Sequence, residues 1–147
     1  MADQGPQGLV VWTLDERRYG LRVAAVERVL PAMAITPLPG APPIVCGSVN
    51  LQGRIVAVVN MRRRLKLPER DPIPSDRLLL ASTPRRRLAF FVDGVQGVVD
   101  YPAVGIVELA DDLLLIDDLD HLLSLDDEQG LERALSRAHP ASTTRVA

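Results

Sequence analysis

The sequence is poor in aromatic residues and has a single cysteine. Its 147 residues include one tryptophan, two tyrosines and two phenylalanines, while 47% of them are hydrophobic. The core must therefore be built mainly from aliphatic side chains. Because Cys46 is alone, an intrachain disulfide is excluded, which fits a reducing compartment. A chain of this length buries roughly 68–70% of its unfolded surface, so it can form a core without metals or disulfides.

A strong net charge and a long apolar run are also missing. The chain has 17 Lys and Arg against 19 Asp and Glu, a formal net charge of −2, so no overall field attracts nucleic acid or an anionic membrane. No apolar run approaches the ~18 residues that span a bilayer. Residues 1–8 lack the features of a signal peptide and are predicted to be a disordered leader. We expect a cytoplasmic protein without nucleic-acid binding or membrane insertion.

Short apolar segments recur along the chain and predict a mostly β protein. The predicted strands are residues 9–14, 19–23, 44–51, 54–60, 78–81, 88–92, 95–99 and 113–116. Their spacing is typical of a β-barrel or sandwich rather than a parallel α/β sheet. Residues 55–59 are apolar at every position, which predicts a central strand that is buried on both faces.

Helical patterns are few and short. Ala25, Val26, Val29 and Leu30 have helical spacing, which predicts a short helix over residues 24–30. Further short helices are predicted over 61–67 and 119–123. A C-terminal helix is predicted over 126–138, after an ordered domain of residues 9–125, and a disordered tail over 139–147.

Catalytic and metal-binding patterns are weak. The spacing of the acidic residues and histidine in 117–121 matches neither an EF-hand nor a zinc site, and helix capping explains it. Cys46 lies in an apolar strand and is predicted to be a small buried hydrophobic residue. No glycine-rich phosphate-binding motif or nucleophile-elbow motif is present. We predict no catalytic residue, metal site or cofactor.

Two basic clusters, residues 62–66 and 85–87, interrupt the apolar pattern. Nucleic-acid binding usually adds aromatic stacking platforms and a basic domain. Both are missing here, so these clusters predict a solvated face or a protein–protein contact.

Three blocks carry a family likeness when they are taken together. The first joins residues 10–14 to 19–29, and the most specific one joins 35–39 to 47–62. The third joins 91–95 to 114–119. In order and spacing they resemble the CheW family of chemotaxis coupling proteins, and the regulatory domain of the CheA kinase, over residues 10–123.

The resemblance implies a CheW-like fold of two small SH3-like β-barrel lobes around a shared aliphatic core. It also implies a non-catalytic adaptor that couples methyl-accepting chemoreceptors to a CheA-type histidine kinase. The implied partners are a receptor signalling tip and the kinase regulatory domain. The positions that match the family's partner-binding surface are Val26, Arg28, Asn50, Gln52, Gly53, Arg54, Asn60 and Arg62.

Four features depart from the family pattern. Gln52 stands where the family turn usually has arginine, and Asn60 where the following strand end usually has aspartate. These two changes would compensate if they removed an opposite-charge pair together. Arg28 stands where the family usually has glutamate, and the segment between residues 99 and 113 is short, which implies a shortened second lobe. The departures indicate altered partner contacts.

Other functions remain open. A divergent CheW-like module could serve a chemosensory pathway that does not control flagella. A small-molecule-binding β-barrel would be favoured by a deep pocket with polar groups, and an enzyme would need His121 and nearby aspartates to converge in a cleft. Adaptors bind through exposed apolar patches with polar rims. We therefore expect a charge at Val26 to weaken partner binding without unfolding the protein.

Overall fold

Strands dominate the chain in a computed structural model that describes residues 7–101, 113–116 and 125–144. The described strands are β1 (Gln7–Leu14), β2 (Arg17–Arg22), β3 (Val26–Pro31), β4 (Val45–Leu51), β5 (Arg54–Val59), β6 (Arg77–Ser82), β7 (Arg87–Val92), β8 (Gly94–Tyr101) and β9 (Leu113–Leu115). The helices are a 3-10 turn (Val23–Ala25), α1 (Met61–Arg64) and α2 (Leu125–Thr144). The mostly β prediction is confirmed.

The strands form two sheets. The first has four strands in the order β8-β1-β2-β9, and the second has five in the order β3-β6-β7-β5-β4. The pairs β2–β9 and β5–β7 are parallel. The described strands form open sheets and not the closed barrels of the sequence prediction, because no ladder joins their outer strands. A single bridge, in which Thr36 and Ser48 exchange backbone hydrogen bonds of 2.8 Å, ties the segment after β3 to the outer edge of β4.

The middle strands of the five-stranded sheet bury both of their faces. On β5, Ala57 and Val59 face a core shared with the four-stranded sheet, whereas Val56 and Val58 face a second core. The shared core also includes Trp12, Leu14, Tyr19, Leu21, Leu79, Leu88, Phe90 and Val92. The central-strand prediction for residues 55–59 is therefore confirmed, since β5 lies between β4 and β7.

Helix α2 packs on the shared core and is part of the same hydrophobic unit. Leu131 and Ala134 are buried in that core. Arg86 connects the helix to the sheet through ion pairs, because its Nη2 lies 2.8 Å from Glu128 Oε1 and 3.0 Å from Glu132 Oε2. The Arg86 and Glu128 side chains are only 12% and 10% exposed, so this ion pair is largely shielded from solvent.

The helix predicted over residues 24–30 is wrong. The chain makes one 3-10 turn at Val23–Ala25 and then continues as strand β3, which pairs with β6 from Val26 to Pro31. Five apolar residues in seven positions fit a strand as well as a helix. Pairing with a buried neighbouring strand overrides the local pattern, and β-branched Val26 and Val29 favour that outcome.

Two predicted boundaries also change. The leader was expected to extend to residue 8, but β1 begins at Gln7, since Gln7 and Gly8 pair with Tyr101 and Asp100. Helix α2 begins at Leu125 and extends to Thr144, six residues past the predicted helix end at residue 138.

Gly47 leaves room for residues 35 and 36 to pass close to β4, the edge strand of the five-stranded sheet. A Cβ atom at this position would lie 2.6 Å from the Thr36 backbone oxygen and would also meet the Ile35 side chain. We expect Gly47→Ala to lower the free energy of unfolding by about 1–3 kcal/mol through overpacking, measured by urea denaturation. Gly94→Ala is the control, because its Cβ would meet only Thr13 Oγ1 at 3.6 Å. An equal loss in both variants would contradict the assignment.

Candidate partner-binding site

The hairpin turn between β4 and β5 carries four of the positions predicted to bind partners. Gln52 and Gly53 have φ values of 55° and 85°, as a two-residue primed turn requires. The Gly53 N–H donates to Asn50 Oδ1 at 2.8 Å, which fixes the shape of the turn. Asn50, Gln52, Gly53 and Arg54 are all exposed. The turn therefore holds Gln52 and Arg54 out to solvent in a defined geometry.

Strand β3 carries Val26 and Arg28 on either side of an extra residue. Val26 pairs with Ala81 and Arg28 with Leu80, so the ladder shifts at Glu27. Val26 is partly buried against the shared core, whereas Arg28 is exposed. A charge at Val26 would thus disturb packing. Contrary to the expectation from the sequence, Val26→Asp would therefore affect folding as well as partner binding, and it cannot test binding alone.

Glu27 is held by an ion pair that connects β3 to β7. Arg87 donates to it through Nη2 at 2.8 Å and through Nε at 3.2 Å. The hydrogen bond from Arg87 lowers the pKa of Glu27, against a smaller opposing effect of burial. The carboxylate of Glu27 therefore neutralises Arg87, and Arg28 projects beside this pair.

Asn60 and Arg62 lie at the opposite end of β5 and make internal contacts. Asn60 Oδ1 accepts from the Arg63 N–H at 3.0 Å, which caps α1. Arg62 is 12% exposed and donates to the Pro68 carbonyl at 3.0 Å and to Asp93 Oδ1 at 2.7 Å. In the free chain both side chains hold the structure together.

The suggested compensation between Gln52 and Asn60 is wrong. Gly53 and the six residues of β5 separate them, and the strand alone spans about 20 Å at ~3.3 Å per residue. They cannot form a pair across that distance. Asn60 instead keeps the role of a helix cap, in which asparagine and aspartate are nearly equivalent.

A cavity of about 450 Å³ lies near the Asn60 end of β5 and is lined by an ion-pair network. Arg70 binds both carboxylate oxygens of Asp76 at 2.9 Å and Asp93 at 2.8 Å. Asp93 also accepts from Arg62 and, at 2.7 Å, from the Asp15 N–H. The network joins the β1–β2 turn, the β7–β8 junction and the loop before β6.

Cys46 opens onto this cavity and corrects the expectation that it is buried. Its residue surface is exposed, because the ladder shift between Val45 and Gly47 turns it away from both cores. Desolvation by the surrounding atoms still raises the pKa of the thiol. Cys46 is thus accessible and at the same time mostly protonated at neutral pH.

An apolar surface that the sequence did not reveal lies where β8 of the four-stranded sheet is close to the 3-10 turn. Val98 is 63% and Val23 is 40% exposed. They flank Gly8, where a Cβ atom would lie 2.9 Å from Val23 Cγ2 and 3.1 Å from Val98 Cγ1. The chain continues from Val23 to Ala25 and Val26, which pack on the shared core. We call Val98 and Val23 the valine strip.

Several predicted features fall outside the described residues. Residues 117–121, with His121 and the neighbouring aspartates, are among them, as are the helix predicted over 119–123 and most of the shortened segment between 99 and 113. In the described ranges, no group of three or more potential metal ligands occurs. None of the described helices is long and apolar enough to cross a membrane.

The fold and surfaces define a β-rich module of two packed sheets and a C-terminal helix, with an exposed hairpin turn and an exposed apolar strip. The chain belongs to the CheW family, because the CheW-like domain model matches residues 8–109. The CheW-like fold expected from the sequence is thereby supported.

Known proteins support this assignment. The chain is 26% identical over 91 residues to the chemotaxis protein CheW of Bacillus subtilis, covering 62% of this chain and 58% of that protein. It is 34% identical over 86 residues to the chemotaxis protein CheW of Thermotoga maritima, covering 58% and 56%. The scaffolding protein TtCheW from Thermoanaerobacter tengcongensis superposes with a TM-score of 0.68 and 25% identity, over 83% of this chain and 95% of that one. The chain spans 56% to 63% of the length of four curated relatives.

Proposed function

We propose that this chain is a non-catalytic adaptor that couples chemoreceptors to a CheA-type histidine kinase. The observation that carries the proposal is the β4–β5 turn. It lies in the block that most resembles the family, and it is exposed and rigid, while the strands on both sides are largely buried. A turn held in this way presents a preformed surface, which lowers the entropic cost of binding.

The cavity near the Asn60 end of β5 gives less support to a small-molecule site. Its charged groups bind one another: Arg70 with Asp76, and Arg62 with Asp93. A polar ligand would have to replace these charge-assisted hydrogen bonds, which are stronger than neutral ones. The geometry therefore favours a structural role for this cavity and partner binding on the outer surface.

Binding to both expected partners tests the proposed function. The purified chain would be mixed with a receptor signalling tip and a kinase regulatory domain encoded in the same genome, and complexes would be measured by isothermal titration calorimetry. Binding to each, and a ternary complex with both, is the expected result. Binding to neither would overturn the adaptor proposal. A swimming assay of a deletion strain then distinguishes flagellar from other chemosensory output.

The valine strip is expected to contribute to receptor binding. Val98→Glu would place a charge in an apolar contact and weaken binding to the receptor tip about tenfold. The fold should remain intact, because the Val98 side chain already lies mostly in solvent. Ile73→Glu is the matched control, since Ile73 is 46% exposed in the loop before β6. Unchanged affinity for Val98→Glu would remove the strip from the interface.

A further inference from the structure

An apolar hollow of about 470 Å³ lies between the chain that follows β3 and the chain that precedes β6. Residues 32–35 form one of its walls, and Pro72, Ile73 and Pro74 form the other. All seven residues are apolar, and each of them keeps part of its surface in solvent. We call it the apolar hollow. A second apolar surface that covered it would remove this area from water.

Ile73 projects from one wall of the hollow as an apolar knob that is 46% exposed. Pro72 and Pro74 restrict the backbone on either side of it. Its N–H donates to Asp76 Oδ2 at 2.9 Å, and its carbonyl accepts from the Asp76 N–H at 2.9 Å. Arg70 in turn holds both oxygens of Asp76. Because the knob is fixed in advance, a partner that buries it pays little conformational entropy.

One charge of each sign lies beside the hollow. Asp71 immediately precedes the 72–74 wall, and Arg77 pairs with Pro31, the residue before the 32–35 wall. Both side chains are exposed. In the part of the chain that the structure describes, the Arg77 guanidinium donates to backbone oxygens and neither charge forms an ion pair. The two walls therefore carry opposite charges that remain available to a partner.

We propose that the apolar hollow binds a second copy of this chain, with Ile73 of each copy in the hollow of the other. A knob and a hollow that lie side by side on one surface fit each other across a twofold axis, because a twofold interface brings the same patch of both copies together. Each apolar contact is then made twice.

The charges fit the same twofold arrangement. When Ile73 of one copy lies against the 32–35 wall of the other, its Asp71 is only two residues away along the chain. Arg77 of the other copy lies at that wall, because it pairs with Pro31. The axis therefore brings Asp71 of each copy next to Arg77 of the other, which gives two opposite-charge contacts per dimer. A uniformly charged partner would match only one of the two charges, so this pattern favours a second copy.

Sedimentation equilibrium of the purified full chain tests the dimer. The wild type is expected to show a monomer–dimer equilibrium with a Kd of about 100 µM, because one knob and one hollow per copy form a small interface. Ile73→Glu is expected to weaken the dimer at least about tenfold, since it places two carboxylates in apolar contacts. A wild-type chain that stays monomeric up to about 1 mM would overturn the proposal.

Val98→Glu is the matched control for Ile73→Glu. It adds the same charge at an exposed aliphatic position, but Val98 does not line the hollow. Its dimer Kd should stay within about twofold of the wild-type value. The fluorescence of buried Trp12 verifies that both variants fold. Equal weakening by the two substitutions would show that the hollow is not the contact.

A mixture of two charge reversals tests the twofold arrangement directly. Asp71→Arg and Arg77→Glu are each expected to weaken self-association at least about tenfold, because each variant alone would place like charges together twice in its dimer. An equimolar mixture of the two variants should dimerise about as well as the wild type, since every contact then joins opposite charges. Failure of the mixture to recover would overturn the proposed arrangement.

The dimer does not rest on the adaptor function, and the two fail separately. If the chain dimerises through the hollow but binds neither receptor nor kinase, the adaptor function is wrong and the dimer stands. If the chain binds both partners but remains monomeric, the dimer is wrong and the adaptor function stands.

Discussion

Replacing Phe90 with alanine is expected to lower the free energy of unfolding by about 3–5 kcal/mol. Phe90 is fully buried on β7, in the core shared by the two sheets. Its ring lies 5.2 Å from that of Trp12, which stacks on Tyr19 at 4.8 Å. Alanine would leave a cavity between the sheets and would remove these aromatic contacts. Urea denaturation followed by circular dichroism measures the loss.

Phe91→Ala is the matched control, because it removes the same side chain from the next position of the same strand. Phe91 is only partly buried and packs at the edge of the second core. Its loss should be smaller than that of Phe90→Ala, since less apolar area returns to solvent. Equal losses would contradict the assignment of these neighbours to different faces.

Replacing Asp76 with asparagine is expected to cost about 2–4 kcal/mol of unfolding free energy. Its side chain is 3% exposed and binds Arg70 through both oxygens. The Ile73 N–H also donates to it at 2.9 Å. Asparagine would leave Arg70 with less counter-charge, but Arg70 is 35% exposed, so solvent reduces the loss. Asp71→Asn, at an exposed position of the same loop, should change stability by less than about 0.5 kcal/mol.

The same carboxylate makes stability depend on pH. Burial by itself raises the pKa of Asp76, but hydrogen bonds from Arg70 and the Ile73 N–H outweigh it, so the pKa is lowered. Stability from a lowered pKa is fully present above the unfolded value of about 3.9 and is lost as the pH falls through the folded value. Wild-type protein should therefore lose more stability on acidification below about pH 4 than Asp76→Asn does. Identical pH profiles would contradict the role of Asp76.

The apolar pattern predicted the strands well, but it could not predict how they pair. The uninterrupted run at 55–59 indicated a strand buried on both faces, and β5 is such a strand. The seven residues from 24 to 30 fitted two periodicities equally, and only the presence of β6 alongside decided for a strand. The difference between helix and strand propensity of these residues is smaller than the packing energy of a paired, half-buried strand.

In the candidate site too, short sequence patterns predicted some features, whereas contacts between distant residues decided the others. The family likeness implied the turn, and Gly53 suits it because glycine adopts a positive φ without strain. The contacts of Arg62 are set by residues distant in sequence, such as Asp93, so no local signal identified its structural role. The same is true of the valine strip, in which Gly8 makes room between Val98 of β8 and Val23 of the 3-10 turn. The charge on Arg87 is likewise cancelled by Glu27, 60 positions away.

By itself the sequence determined the β class, the aliphatic core, the turn between β4 and β5, and the likeness to the CheW family. These follow from composition, from periodicity within a few residues and from short motifs. Only the tertiary structure decided which face each residue occupies, which arginines are neutralised and which valines are exposed. Burial and ion pairing depend on residues that are far apart in the chain and adjacent in space, and a linear pattern does not record those distances.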